Sequence, residues 1–296
     1  MKVNGCDCTI VIKTVIHEFD VPYSEETIRE AVSVLQEEAA IEGDGICKAI
    51  VKKSSVTGCV VTPLTLMTAP LLLYLAFGSA GKPFFVSETR NIFNSRLNLL
   101  PLEDTDTFDL IQDRTVNSEK LAVSSERKLY ECCRIKSFEL RIERDQALKL
   151  KLDVCGDRPA SAYFYIDDVE RERGERFKGD CVDYWINGKE NHFIYGITLS
   201  VKKEGGTKTE IWIRRELQCG NDLLENIDEF VITVRLLCDK YEFRNYGIFR
   251  ITLKNLVLIS DETYINSADT VIDPLRYYVS GSVSADVFTS NNEVIQ

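Results

Sequence analysis

The sequence predicts a mainly β chain with minor α, built from long amphipathic hairpins with one or two short helices. Three observations carry this. Leu148, Leu150, Leu152 and Val154 alternate with Lys149, Lys151 and Asp153, the period-two pattern of a strand with one buried face. The alternation returns at Ile197, Leu199 and Val201, at Ile211 and Ile213, at Phe230, Ile232, Val234 and Leu236, at Phe249, Ile251 and Leu253, and from Tyr277 to Val287. Helical spacing is confined to two stretches, both in the first third of the chain.

Residues 8–15 are β-branched and read as a strand, which Pro22 and Tyr23 end. Ser24 then opens a helix. Glu25 and Glu26 suit its dipole, and Ile28, Ala31, Val32, Leu35 and Ala39 recur at helical spacing. Gly43 and Gly45 stop it, although residues 35–40 also suit an extended chain. Residues 46–51 and 56–61 read as two strands around a turn of Lys52, Lys53, Ser54 and Ser55. Thr68 is placed to cap a short helix with Pro70 in its first turn, where a missing N–H does no harm. Leu71, Leu72, Leu75 and Phe77 follow, and Gly78 ends it. Residues 78–83 form a loop. Residues 91–129 are polar and without pattern, which predicts a functional or flexible insertion.

From Tyr130 the reading is almost wholly β. Ile135 precedes Phe138, Leu140 and Ile142 with a phase slip at Lys136 and Ser137, the mark of a bulge. Residues 143–146 turn into the Leu148–Val154 alternation, and Glu204, Gly205 and Gly206 turn between the next two strands. The change of character suggests a first half of residues 1–156 and a β-rich second half of residues 157–296. Gly5-Cys6 and Gly179-Asp180-Cys181 open comparable strand series, so an internal duplication is one reading and two unrelated halves the other.

The chain has 296 residues and a net charge of −11, with 44% hydrophobic and 28% charged residues. That composition excludes a disordered chain, a collagen and a disulfide miniprotein. The acidic balance gives no general attraction to phosphate backbones or anionic lipids. Ten cysteines occur without a C-x-x-C pair, which reads as free thiols in a reducing compartment, with a metal site assembled from distant cysteines as the alternative. No signal peptide is apparent at the N-terminus. The most apolar stretch, residues 56–77, is interrupted by Pro63, Pro70 and threonines and reads as buried core, not as a membrane span.

Catalytic signatures are missing. There is no phosphate-binding Gly-rich loop, no dinucleotide fingerprint and no Gly-x-Ser-x-Gly elbow. The two histidines, His17 and His192, are far apart, and His192, between Asn191 and Phe193 beside a turn, reads as a surface residue. The pairs Asp167-Asp168 and Glu37-Glu38 read as solvated faces, and the mixed charges of residues 168–178 suit a protein contact. Trp185, Trp212, Tyr163, Phe164, Tyr165, Tyr184 and Tyr195 read as strand residues, or alternatively as a sugar platform. The expectation is no catalytic residue, no cofactor and no metal.

Three segments carry a resemblance. Residues 55–64 (SVTGCVVTPL) lead into residues 69–78 (APLLLYLAFG); residues 130–156 form paired strands ending at glycine; residues 179–212 and 245–288 supply closing strands. In this order they resemble the phage-type tail tube proteins, over most of the chain and by pattern. The resemblance implies a β-sandwich or half-barrel with a flanking helix. It also implies a structural subunit that forms stacked rings around a channel for DNA or effector passage. The partners implied are further copies of the chain and other tail proteins, with assembly in a host cytoplasm and residence in a virion tail. Three chains per ring are expected if the halves are duplicates and six if they are not. The polar faces of the hairpins would then line the lumen. The candidates are Glu139, Arg141, Glu143, Lys149, Lys151 and Asp153, with Ser200, Lys202, Thr209 and Trp212 as weaker ones. An acidic lumen would keep DNA from adhering, although this set is mixed in sign. A carbohydrate-binding or adhesin module and a hydrolase with a carboxylate site are the alternative classes.

Overall fold

The computed structural model describes residues 8–14, 18–37, 49–78, 84–87, 92–116, 124–156, 158–160, 176–216, 226–240, 243–261, 264–265 and 271–290. In chain order the elements begin with β1 (Cys8–Lys13), β2 (Glu18–Asp20), β3 (Glu25–Glu26), β4 (Arg29–Glu37) and β5 (Ala49–Pro63). Next come α1 (Thr68–Phe77), β6 (Phe84–Ser87), β7 (Ile92–Asn98), β8 (Phe108–Val116), β9 (Ser124–Glu143), β10 (Lys149–Gly156) and β11 (Arg158–Ala160). The rest are β12 (Val182–Ile186), β13 (Lys189–Glu190), β14 (Ile194–Lys202), β15 (Lys208–Glu216), β16 (Asn226–Lys240), β17 (Phe243–Asp261), β18 (Tyr264–Ile265), β19 (Val271–Val279) and β20 (Val283–Ser290). The chain is mainly β with minor α, as expected. No helix among the described residues is long and apolar enough to cross a membrane.

Contacts divide the chain into two compact units. One comprises Met1–Val60, Thr107–Arg134 and Asp153–Glu170, the other Val61–Asp106, Ile135–Leu152 and Arg171–Gln296. Each unit therefore draws on residues from both sides of position 156. Gly5-Cys6 lies outside the described residues, and Gly179–Cys181 forms a 3-10 turn.

In the first unit, β1 pairs with β2 on one edge and β8 on the other, and β8 continues to β9. Val11, Ile111 and Leu129 pack together across these strands. Three expectations are corrected here. The predicted helix from Ser24 is instead β3 and β4, and β4 pairs with β5 from Arg29 opposite Thr57 to Glu37 opposite Ala49. A ladder that long satisfies the backbone non-locally and outweighs a 3.6-residue spacing, which Val32 and Val34 fit only as β-branched helix residues. The predicted turn at Lys52–Ser55 does not form, because β5 runs through it as one 15-residue strand. The 91–129 stretch is no insertion: it holds β7, a 3-10 turn at Leu102–Asp104, β8 and the start of β9. β8 lacks alternation because Leu110, Ile111 and Gln112 are all buried. Gln112 is satisfied there: its Nε2 donates to Glu26 Oε2 at 2.6 Å, and its Oε1 accepts from the Tyr130 hydroxyl at 3.4 Å.

In the second unit α1 forms where Pro70 and Gly78 predict it, and the Gly78 N–H donates to the Tyr74 carbonyl at 2.8 Å. Thr68 is the first helical residue and not the cap. Thr65 takes the capping role one turn earlier, its Oγ1 accepting the Thr68 N–H at 3.1 Å. The helix buries Leu72, Leu73, Leu75, Ala76 and Phe77 and packs on β7 and β20. Its apolar character on all sides is that of an interior helix. Phe77 meets Phe138 of β9 with ring centroids 5.1 Å apart.

The strands β9, β14, β15 and β19 lie side by side, and β19 pairs onward with the second half of β17. The first half of β17 pairs with β16 on one edge and β20 on the other, and these continue to β12 and β7. Thus β19 and β20 follow one another along one edge of β17, where Leu256 opposes Val279 and Leu253 opposes Val283. The closing run from Tyr277 to Val287 is therefore two strands in line, interrupted at residues 280–282. Asn255 at φ 56° and a phase change, with Leu253 and Leu256 both buried, mark the same point on β17. Gly281 donates its N–H to the Lys254 carbonyl at 3.0 Å, and a Cβ at that position would stand 2.6 Å from the same oxygen. The burial phase also slips between Ile135 and Phe138, at the predicted place.

Gly281→Ala should lower stability by about 1–3 kcal/mol, the usual cost of overpacking a site that cannot yield. A urea-denaturation midpoint equal to wild type would show that the strand crossing tolerates a side chain.

Candidate interaction face of the sheet

Alternation along β9, β14, β15 and β19 sends one set of residues to the core and the other to an uncovered face. Leu140, Ile142, Ile197, Leu199, Ile211, Ile213, Leu275 and Tyr277 are buried. The residues between them form rows set by the strand register. Glu139 lies opposite Ser200, Ser200 opposite Glu210, and Glu210 opposite Tyr278. The next row is Arg141, Thr198, Trp212 and Arg276. Glu143, Gly196 and Arg214 make the third.

Within these rows the charges satisfy one another. Arg214 Nη1 donates to Glu143 Oε1 at 3.0 Å, and its Nη2 lies 3.4 Å from Thr198 Oγ1. Arg276 donates twice to Glu210 Oε2, at 2.6 Å from Nη2 and 3.1 Å from Nε. Its guanidinium also sits 5.1 Å from the centroid of the Trp212 ring, within cation–π range. Arg141 pairs with Glu139 along β9. Three arginines thus balance three glutamates. Each pair is partly exposed and worth at most about 1 kcal/mol, so the rows set geometry more than stability.

An open groove of ≈ 340 Å³ lies over this lattice, lined by Glu139, Arg141, Glu143, Thr198, Ser200, Trp212 and Arg214. Toward β17 the face turns apolar: Tyr278, Val257 and Ile259 are 38%, 45% and 48% exposed, and Val257 lies opposite Tyr278.

The six sequence candidates divide. Glu139, Arg141 and Glu143 fall on this face beside Ser200 and Trp212. Lys149 is exposed and Lys151 half-buried on β10, outward of the buried leucines, and among the described residues no ion pair joins either to the lattice. Asp153 is half-buried and belongs to the other compact unit. Lys202 is exposed at the end of β14. Thr209 is corrected: it is 3% exposed and shares the buried side with Val201, its partner across the hairpin. Glu210, Arg214, Arg276 and Tyr278 are the functional-face residues that sequence reading missed. The outward phase of Glu210 and Arg214 around Ile211 and Ile213 was the available signal.

Among the described residues His192 and the cysteines stand outside the rows of this face. His192 is exposed, 3.8 Å from Glu190, and His17 lies outside the described residues. Among the described residues no three His, Cys, Asp or Glu side chains gather as a metal site. Cys59, Cys132, Cys133, Cys155 and Cys181 are not in disulfides. Burial and the neighbouring Asp180 push the Cys181 thiol up, which keeps it protonated and weakly nucleophilic. Tyr163, Phe164 and Tyr165 lie outside the described residues.

No family model matches the chain, and no curated protein matches it.

Arg276→Ala should cost about 1 kcal/mol or less and expose the Trp212 ring. A red-shifted tryptophan emission with a retained fold is the expected result; an unchanged spectrum would mean that the guanidinium does not shield the indole.

Proposed function

We propose that the chain is a structural subunit of a phage-like tail tube, without catalysis. In this reading copies of the chain join into rings, of three chains if the halves are duplicates and of six if they are not. The rings stack around a channel for DNA or effector passage and meet other tail proteins in a virion tail. The observation that carries the reading is the long antiparallel hairpin sheet of β9, β14, β15 and β19. One face of it is buried, and the other is a polar lattice that nothing in this unit covers among the described residues. A strand leading into a short interior helix that ends at Gly78 is the second support, since it stands where the tube resemblance places it.

The same observation modifies the expected lumen. If Glu139, Arg141 and Glu143 line a channel, they do so within a charge-balanced lattice. The paired carboxylates offset the arginine charges, which weakens the attraction of this face for passing phosphates. A neutral, internally bonded surface would let a polyanion slide without strong attraction or repulsion. A sugar-binding role for Trp212 draws less support, because the Arg276 guanidinium already occupies a face of the ring.

Negative-stain electron microscopy of the concentrated protein tests the proposal. Stacked rings or tubes with a central channel are expected, and their symmetry would give the number of chains. Compact monomers at every concentration and salt would count against self-assembly and make a glycan-binding screen the next measurement.

A further inference from the structure

Lys203 is the least expected side chain in the second unit. It follows β14, is 1% exposed and ranks among the largest fully buried residues of the chain. Its backbone N–H donates to the Lys136 carbonyl at 2.8 Å, which fixes the residue against β9. Its Nζ lies 3.4 Å from the carbonyl oxygen of Phe77, the last residue of α1. That oxygen already accepts the Leu100 N–H at 2.9 Å. The last turn of α1 contains no basic residue of its own, and among the described residues the ammonium at this helix end arrives from a hairpin far along the chain.

A buried ammonium ordinarily has a carboxylate beside it. Among the described residues no carboxylate forms an ion pair with Lys203. The titratable groups of the surrounding elements are Tyr74 on α1, hydrogen-bonded to Asp106; Arg96 on β7, paired with Asp286 on β20; Glu103 and Asp104 of the 3-10 turn; Lys136 on β9, with Glu139 paired to Arg141; and Lys202, Glu204 and Lys208 on the hairpin. Lys202, Glu204 and Lys208 are exposed. Among the described residues none of these groups forms an ion pair with Lys203. The helix carbonyl and the helix dipole offset part of the cost of burying the charge, and the rest is uncompensated.

We propose that Lys203 is a proton-operated latch on the C-terminal end of α1. With the proton on, the ammonium is held in an apolar site by one long hydrogen bond, and opening of the helix end returns it to water. With the proton released to solvent, the neutral amine is buried at little cost and the end stays shut. This inference concerns the stability of the helix end and is independent of the tube reading.

The direction of the pH effect follows from burial. Desolvation lowers the Lys203 pKa from its ordinary 10.5 to about 8, with no charged neighbour contributing. The open form, in water, keeps its proton up to the ordinary value. Between these two pH values the open form binds a proton that the closed form has lost. Opening is therefore favoured at and below pH 8, is suppressed progressively as pH rises, and is least above pH 10.5. The span in the opening equilibrium is roughly two orders of magnitude.

The experiment compares the full chain with Lys203→Met, which keeps the length and removes the charge. Urea midpoints are measured for both between pH 6.5 and 10, with exchange of the Gly78 and Leu100 amides at pH 7. The Met variant should be the more stable at pH 6.5, exchange those two amides more slowly, and lose its advantage as the pH passes 8. A gap that stays constant with pH would overturn the proposal, as would a Met variant that is less stable at low pH, since the ammonium would then be a required cap. Should the variant fail to fold, direct NMR titration of the Lys203 Cε and Nζ signals in the wild type decides. A midpoint near 8 supports the latch, and one near the ordinary lysine value overturns it.

Discussion

The second unit depends on one exchange of partners along β17. A sheet that kept a single partner on each edge would present one long flat surface with open ends. Instead β17 holds β20 as far as Leu253 and β19 from Leu256, and the step between them is absorbed by two residues of opposite character. Asn255 takes up a positive φ that asparagine tolerates better than most side chains. Gly281 lets two backbones approach more closely than any Cβ would permit. Everything laid on either side inherits this step. β15 and β14 are reached through β19, whereas β7 and the helix that packs on it are reached through β20.

The polar lattice is a consequence of that arrangement. Because β15 sits between β14 and β19, its outward residues have neighbours on both sides, and Glu210, Trp212 and Arg214 can each be satisfied across a strand. The chain as a whole is acidic, yet this face carries equal numbers of arginines and glutamates. The excess negative charge is therefore borne elsewhere. Under the proposed tube role such local balance would serve a passing polyanion, since neither binding nor repulsion would need to be overcome.

Sequence was most informative where one face of a strand meets water. β10, β14, β15 and β16 alternate visibly because Lys149, Ser200, Trp212 and Val231 stand outward of buried neighbours. α1 was legible from Pro70 and Gly78, which are local signals. Legibility failed where a strand is enclosed or where pairing overrides local spacing. β8 places apolar and amide side chains on both faces, so no period survives. β4 carries helical spacing but finds a long partner in β5, and Ser55 in the supposed turn is held by that pairing, its Oγ 3.4 Å from the Ala31 carbonyl. At the candidate face, the outward phase of Glu139, Arg141 and Glu143 could be read locally. Their relation to Trp212, Arg214 and Arg276 could not, because it is fixed by cross-strand register between segments far apart in sequence.

The pairing of β20 with β7 joins Ser284 to Asn98 and Ser290 to Ile92. These contacts close only after nearly all of the intervening chain is in place, so the topology is dominated by long-range pairings of the kind that fold slowly. During synthesis the edge of β7 away from β6 waits unpaired until β20 leaves the ribosome. That interval is when an exposed strand edge is most apt to recruit a strand from another molecule. The order in which strands emerge thus sets a window during which premature association competes with completion of the fold.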